Sequence, residues 1–250
     1  MTVIALVSDL HSNMFATEAV FRRIDSLAVD EVVCLGDVIG YGPDPEPCID
    51  LVRERCSFTL KGNHDWGMTG DLRDFNPMAQ ESLMWHRRRL KPGFFSPSKK
   101  KRWSWLLDLP ERVERNGEVF VHASPRDPIK EYVLRSDGFL YPEKMEDLFS
   151  RFERRCFVGH THWPGWHGED YRFHQVADDR SEFLLPETKV IINVGSVGQP
   201  RDGDPRACFA LIDGQRLEYH RVPYPVAETQ RRILDIGMSS WLADRLERGT

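Results

Sequence analysis

The sequence predicts an α/β fold in which short parallel strands alternate with helices. In the N-terminal half, short runs rich in branched and aromatic residues alternate with segments of helical spacing. Each of these runs leads into a polar segment rich in glycine or histidine. In open α/β sheets, loops at the carboxyl ends of the strands converge on one crevice. We therefore expect the functional residues to follow the strands.

Five strands are predicted in the first two thirds of the chain and three more near its end. The first five are expected at residues 3–8, 31–35, 57–60, 119–122 and 156–158, and the later three at residues 189–193, 207–212 and 217–222. Helices are predicted at residues 14–27, 45–55 and 143–152, the second with a proline near its start. Further helices are expected after Pro225.

A longer helical segment interrupts this alternation. Residues 71–109 carry apolar and aromatic side chains in largely helical spacing, divided by Lys91-Pro92-Gly93. No repeat, low-complexity segment or long linker divides the chain. We interpret residues 1–250 as a single domain and residues 71–109 as a helical cap inserted within it.

Composition and charge limit the partners. Hydrophobic residues make up 40% of the chain and charged residues 29%, as in ordinary folded proteins. The net charge of -5 argues against broad affinity for nucleic acid. Basic runs at residues 87–89 and 99–102 lie near tryptophans, and we interpret them as a solvated helix face, with substrate steering as the alternative. Binding of long nucleic acid is not expected, and the oligomeric state is not predicted.

The early apolar run and the cysteines indicate the cellular compartment. Residues 3–7 lack a basic lead and are too short for a signal peptide or a membrane span. The five cysteines are scattered, without a C-x-x-C pair, and are expected to be free thiols. We therefore expect a cytoplasmic protein with no membrane partner.

Five short motifs carry the chemistry, and each follows a predicted strand. They lie at residues 8–11, 36–37, 62–65, 121–122 and 159–162. Each motif alone is a weak signal, because turns and helix caps use the same residues. Together they supply carboxylate, imidazole and amide ligands without thiolate, which suit divalent ions such as Mn, Fe, Co, Ni or Zn better than Mg or Ca. Asp9 and His11, like His160 and His162, are two apart and would share a side on an extended backbone.

These motifs read D-x-H, G-D, G-N-H-D, H and G-H-x-H, and in order and spacing they resemble those of calcineurin-like metallophosphoesterases. Residues 193–201 resemble the closing segment of the small prokaryotic branch of that family. The resemblance implies a four-layer α/β/β/α sandwich, in which two mixed β-sheets are flanked by helices.

The resemblance also implies a role for each motif residue. One metal would be held by Asp9, His11, Asp37 and His162, and the second by Asp37, Asn63, His122 and His160. Asp37 would bridge the two ions. His64 would stabilise charge on the substrate or protonate the leaving oxygen, and Asp65 would support the loop. A hydroxide between the two metals would be the nucleophile, because binding to metal lowers the pKa of water far below its usual value.

Residues 36–42 depart from the family in a way that bears on the substrate. They lack the Asp and Arg of the G-D-x-x-D-R-G motif found in phosphoprotein phosphatases, whose arginine clamps terminal phosphate oxygens. We therefore predict a phosphodiesterase acting on a small, nucleotide-like ester, with phosphomonoesterase or phosphoprotein phosphatase as the alternative. Arg126 or Arg201 is a candidate to replace the missing arginine. A non-enzymatic scaffold is not expected, because the ligand set is complete.

Overall fold

The computed structural model describes residues 2–177 and 181–250. Its strands are β1 (Ile4–Val7), β2 (Glu31–Cys34), β3 (Phe58–Thr59), β4 (Arg112–Arg115), β5 (Glu118–Val121), β6 (Arg155–Val158), β7 (Gly165–His167), β8 (Phe173–Gln175), β9 (Glu182–Leu184), β10 (Val190–Asn193), β11 (Ala207–Asp213) and β12 (Arg216–Val222). Its helices are α1 (Met14–Asp25), α2 (Pro45–Arg55), α3 (Asn63–Trp66), α4 (Pro77–Leu90), α5 (Pro97–Leu107), α6 (Asp137–Leu140), α7 (Pro142–Phe149), α8 (Val226–Asp235) and α9 (Ser240–Arg248). None of the helices in the described part of the chain is long and apolar enough to cross a bilayer.

The strands form two mixed six-stranded sheets, which confirms the predicted class. The first sheet has the order β3-β2-β1-β11-β12-β9, and the second has the order β4-β5-β6-β10-β7-β8. In the first, β1 is parallel to β2 and antiparallel to β11. In the second, β10 is parallel to β6 and antiparallel to β7. The parallel strands β1 and β2 of the first sheet, and β5 and β6 of the second, are the ones that lead into four of the motifs.

Alternation along the strands explains the layers. Ala5 and Val7 of β1 pack in a core with α1 and α2, whereas Leu6 between them belongs to a core shared with the second sheet. In β5, Phe120 faces that shared core and Val119 packs with α7. Successive side chains of a strand point to opposite faces. One face of each sheet therefore meets the other sheet, and the opposite face is covered by helices.

We expect Phe157→Ala to cost about 3–5 kcal/mol of unfolding free energy, as deletion of a large core side chain usually does. Phe157 is fully buried between the sheets and stacks on Phe120 with ring centroids 4.9 Å apart. Chemical denaturation would measure the loss. Phe139→Ala is the matched control, since Phe139 is exposed and its removal should change stability by less than about 0.5 kcal/mol. Equal effects of the two changes would contradict the layer assignment.

Most predicted elements are present, with α2 matching residue for residue and several strands ending a residue or two earlier than predicted. The sequence analysis missed the short elements, namely β4, β7, β8, β9, α3 and α6. Each of these has three or four residues, and unlike the equally short β1 and β2 none contains more than one β-branched residue, so the local signal for a strand was weak. In the second sheet, β4 and β8 are the edge strands and β7 lies next to β8. The predicted topology therefore lacked both edges of that sheet.

The segment 71–109 contains α4 and α5 and packs on the same core as α1 and α2. Leu83, Leu90 and Leu106 are buried in the cluster that includes Val20 and Ile49. A shared core of this kind favours one folded unit. We therefore retain the single domain with an inserted helical cap as a proposal.

Candidate metal centre

The motif residues meet at one end of the sandwich, around a cavity of about 340 Å³. Asp9, Asp37 and His122 follow β1, β2 and β5, respectively. The structure brings all seven predicted ligands together, and the donor atoms fall into two groups. Atoms of Asp9, His11 and His162 lie within 4.8 Å of one another, and so do those of Asp37, His122 and His160.

The backbone of these motifs is not extended, so the predicted reason for their convergence is wrong. Asp9, His11, His160 and His162 have φ values of 54°, 47°, 63° and 60°, in the left-handed region that costs energy for residues other than glycine. The tight turns are held by neighbouring loops, for example by the bond from the His11 N–H to the Asp37 carbonyl at 2.9 Å. The side chains converge because of the turns, not because of strand alternation.

Two imidazoles in the first group present lone pairs to each other. The Nδ1 atoms of His11 and His162 lie beside the Ile39 and Gln199 carbonyls, to which each must donate. Both Nε2 atoms are then acceptors, yet they lie 3.1 Å apart. Oδ1 of Asp9, 3.2 Å from Nε2 of His162, is buried without a donor in the described part of the chain. Acceptors in this arrangement repel one another, and a cation between them would relieve the repulsion.

The second group has the same arrangement. His122 Nδ1 lies 3.0 Å from the Leu35 carbonyl, so Nε2 is again an acceptor. That atom lies 3.1 Å from Oδ1 of Asn63 and 3.5 Å from Oδ2 of Asp37, both of which also lack hydrogen. Carbonyl contacts that fix the tautomer of a metal-binding histidine are typical of metal sites. The donor set therefore fits a second cation.

Asp37 lies between the two groups. Its Oδ2 is 3.7 Å from Nε2 of His11 and 3.5 Å from Nε2 of His122. Its Oδ1 accepts the His64 backbone N–H at 2.7 Å. Gly62 allows this close approach, because a Cβ there would lie 2.1 Å from Oδ1 of Asp37. One carboxylate can thus face both groups.

The pKa shifts of the buried histidines and of Asp37 are those expected for metal ligands without a bound cation. Burial lowers the pKa of His11 well below its usual value and that of His162 to about 4, so both are neutral, as metal ligands must be. Burial, and then the charges of Asp9 and Asp65, raise the pKa of Asp37 well above its usual value. A buried carboxylate keeps its charge only when that charge is offset. Bound cations would supply the offset.

His64 lines the same cavity and lies beside the ligands, with its ring centroid 4.8 Å from that of His11 and its nearest ring nitrogen within 4.8 Å of atoms of His11 and Asp37. Its ring packs against Tyr41 and Phe75 at centroid distances of 4.5 and 5.4 Å, and its Nδ1 has no hydrogen-bond partner among the described residues. Burial, followed by the positive charge of Arg201, lowers the pKa of His64. Asp65 accepts the Gly62 N–H at 3.0 Å and therefore supports the loop that carries His64.

Gly40→Ala tests how tightly the His64 ring is held. Gly40 has φ of +100°, and a Cβ there would lie 2.2 Å from Nδ1 of His64. We expect the ring to move and turnover to fall by on the order of a hundredfold, since a displacement of about 1 Å can cost that much. Gly203→Ala is the control, because Gly203 has φ of +89° but nothing near its Cβ position. Similar turnover in both variants would show that the ring position is unimportant.

The cavity lining includes residues that the sequence analysis did not single out. They are Tyr41, Asp74, Phe75, Asn76, Lys130 and Tyr132. The Tyr132 ring stacks on His160 at 4.0 Å between centroids. Lys130 accepts a bond from Nε2 of His160 through its carbonyl at 3.2 Å, which leaves Nδ1 of that ring free as a ligand. No motif in the sequence marks these six residues. For Lys130 and Tyr132, the only signal was their position shortly after His122 in the sequence.

The two arginines proposed for substrate lie in different environments. Arg201 lines the cavity, and its Nε is buried without a partner in the described structure. Arg126 is absent from the described lining and forms ion pairs with Glu131 and Asp147. These two carboxylates already satisfy its guanidinium, so the candidate role in substrate binding remains with Arg201.

The basic runs of the cap also lie away from the described cavity lining. Arg89 and Arg102 form ion pairs with Glu46 and Asp50 of α2. Arg87 donates to the carbonyls that follow α3. Instead, the cap contributes the segment just before α4, residues 74–76, to the cavity. The described structure therefore shows no contact between the basic runs and the cavity that would support a role in steering the substrate.

Comparison with known proteins agrees with this geometry. The model of the calcineurin-like phosphoesterase superfamily domain matches residues 1–216. An uncharacterized protein of Methanocaldococcus jannaschii is 32% identical over 99% of this chain and 98% of its own length. The crystal structure of a metallophosphoesterase from Sphaerobacter thermophilus has 36% identity and a TM-score of 0.85, with 100% of each chain covered.

A hypothetical protein from Pyrococcus horikoshii OT3 shares the fold at 18% identity, with a TM-score of 0.78 over 100% of this chain and 99% of that one. The family model spans all five motifs, and the resemblance inferred from them is thereby confirmed. The chain belongs to the calcineurin-like phosphoesterase superfamily.

Proposed function

We propose that this protein is a phosphodiesterase that uses two divalent transition-metal ions. The observation that supports it most strongly is the set of buried acceptor atoms that face one another across Asp37, in a cavity that also contains Arg201 and Lys130. Such a set needs cations, and the cationic side chains beside it suit an anionic phosphate.

The residues present fit the metals that the family uses. Nitrogen and oxygen ligands without thiolate favour Mn, Fe, Co, Ni or Zn. One ion would be held by Asp9, His11, Asp37 and His162, and the other by Asp37, Asn63, His122 and His160. When bound, the ions would offset the phosphoryl charge and lower the pKa of a coordinated water toward about 7.

The protein's own side chains would then orient the ester. Arg201 has a buried Nε without a partner in the described structure and can donate to a phosphoryl oxygen. The neutral imidazole of His64 keeps one N–H that can be donated to the leaving oxygen as its negative charge develops. The Asp37 carboxylate fixes the His64 backbone through the 2.7 Å bond to its N–H. Asp37 therefore lies between the two groups of ligands and also positions the backbone of the proposed proton donor.

Charge and shape at the cavity mouth favour a diester over a monoester. Asp74 lines the cavity and lies 2.9 Å from the Lys130 ammonium, which it neutralises. This neutralisation removes a positive charge that a doubly charged monoester would need more than a singly charged diester does. Tyr41, Phe75 and Tyr132 provide apolar walls for organic groups on the phosphate. A small, nucleotide-like diester matches these features.

The proposal is tested by comparing bis(p-nitrophenyl) phosphate with p-nitrophenyl phosphate, using chelated protein and protein reloaded with each metal. We expect no turnover without metal, two ions per chain after reloading, and a kcat/KM for the diester higher by at least on the order of tenfold. A preference for the monoester would support the phosphomonoesterase alternative. Failure to cleave either ester with two ions bound would instead indicate a binding protein.

A further inference from the structure

The turn between α4 and α5 presents two adjacent phenylalanines to solvent. We call residues 91–101, from the end of α4 into the first turns of α5, the hairpin tip. Phe94 is 86% exposed and Phe95 is 92% exposed, and their rings contact each other edge to face, with centroids 4.7 Å apart. Neither belongs to a core cluster of the described structure. Soluble surfaces rarely display paired aromatic rings without a partner.

The hairpin tip is held in this conformation by its own polar groups. The Ser96 hydroxyl donates to the Gly93 carbonyl at 2.8 Å, and the Lys100 ammonium donates to the Phe94 carbonyl at 3.2 Å. The Lys99 ammonium reaches back to the Arg89 carbonyl in the last turn of α4 at 2.6 Å. These bonds hold the backbone of the turn in the conformation in which both rings are exposed.

The charged residues of the segment that carries the rings are all basic. Residues 82–107 contain eight Lys or Arg and no Asp or Glu, although the whole chain is net acidic. Three of these cations are satisfied by α2 or by backbone carbonyls, as described above. Five have no carboxylate partner in the part of the chain that the structure describes, namely Arg88, Lys91, Lys99, Lys100 and Lys101. The paired rings are thus surrounded by uncompensated positive charge.

We propose that the hairpin tip binds the surface of an anionic lipid membrane, with Phe94 and Phe95 inserted among the headgroups. Stable peripheral binding takes two signals, an apolar insertion and a polybasic patch, and the tip carries both. A contact of this kind needs no membrane-spanning helix. It differs from the sequence-based expectation of no membrane partner, which rested on the lack of a signal peptide or a membrane span.

Two other occupants fit the tip less well. In a two-fold symmetric dimer the same patch meets itself, which would bring the five unpaired cations of each copy together. Single-stranded nucleic acid needs ring faces free for base stacking. The planes of the two phenylalanine rings lie at 81° to each other, so they cannot stack successive bases in parallel. Lipid insertion requires only apolar surface beside positive charge.

Docking through the tip would leave the catalytic cavity accessible. Asn76, the N-cap of α4, lines the cavity, and Lys91, the C-cap, begins the tip. The 14 residues of α4 separate the two by about 20 Å at 1.5 Å per residue. The inference is therefore independent of the proposed phosphodiesterase activity.

Co-sedimentation with vesicles tests the inference. We compare vesicles of phosphatidylcholine alone with vesicles containing about one third phosphatidylserine or phosphatidylglycerol, at low and high salt. The full-length protein should bind the anionic vesicles, more weakly as salt rises. Phe94→Ser/Phe95→Ser should reduce binding by at least on the order of tenfold. Lys91→Gln/Lys101→Gln removes the charges of two side chains that form no hydrogen bonds in the described structure. Each lost charge should weaken vesicle binding by on the order of fivefold.

Matched controls separate the tip from general effects. Phe139→Ser removes an equally exposed phenylalanine elsewhere, and Arg22→Gln/Arg248→Gln removes the same charge from other helices. Both should bind vesicles as the unmodified protein does. Lack of vesicle binding would overturn the proposal. So would tip-dependent dimers in light scattering, or tip-dependent binding of a single-stranded oligonucleotide in preference to vesicles.

Discussion

Asp37→Ala is expected to abolish turnover and to release at least one of the two metal ions. The Asp37 carboxylate lies between the donor groups, 3.7 Å from Nε2 of His11 and 3.5 Å from Nε2 of His122. Loss of an outer-shell partner already costs about 10- to 100-fold in metal affinity, and loss of a shared ligand should cost more. Turnover should fall by on the order of a thousandfold or more, because both ions depend on this residue.

Metal analysis of purified, refolded and reloaded protein measures the first effect, and diester hydrolysis measures the second. Asp37→Asn keeps an oxygen that can accept the His64 N–H, so it separates loss of charge from loss of loop support. Asp137→Ala is the matched control, since Asp137 is a buried carboxylate that accepts the Leu134 N–H outside the cavity. A variant at Asp37 with two ions and near-normal turnover would exclude it from the centre.

His64→Ala is expected to keep both ions and to lose most of its turnover. The His64 ring lines the cavity, and its Nδ1 has no partner among the described residues. General-acid help is usually worth about a hundred- to ten-thousand-fold, and kcat should fall within that range. If His64 acts on the leaving oxygen, the loss should be smaller for a good leaving group such as p-nitrophenolate than for an alkoxide.

His167→Ala provides the control for removal of a buried histidine, since His167 is buried outside the described lining of the cavity. It should lose stability without this dependence on the leaving group. Loss of metal in His64→Ala would show that His64 is a metal ligand. This alternative has to be tested because His64 lies close to His11 and Asp37. An equal loss for all leaving groups would instead leave His64 as a charge stabiliser.

Side-chain type and spacing were sufficient to determine the fold class and the family of this protein. The strands from β1 to β3 and the helix α2 follow from local runs of branched residues and a proline near the helix start. The five motifs are short and specific in combination, so the family resemblance that they carry was enough to name the seven candidate ligands and His64. Their chemistry depends on residue identity, which the sequence states directly.

Tertiary structure alone decided how the ligands converge and what surrounds them. The left-handed turns at Asp9 and His160 are held by contacts with distant loops. Asp and His adopt this conformation more often than most residues, but residue type alone does not specify it. Arg201 and Tyr132 reach the same cavity from segments far apart in the chain, whereas Arg126, equally plausible by position, turns to Glu131. The choice between such residues depends on packing across the two sheets, because only there do segments distant in sequence become neighbours.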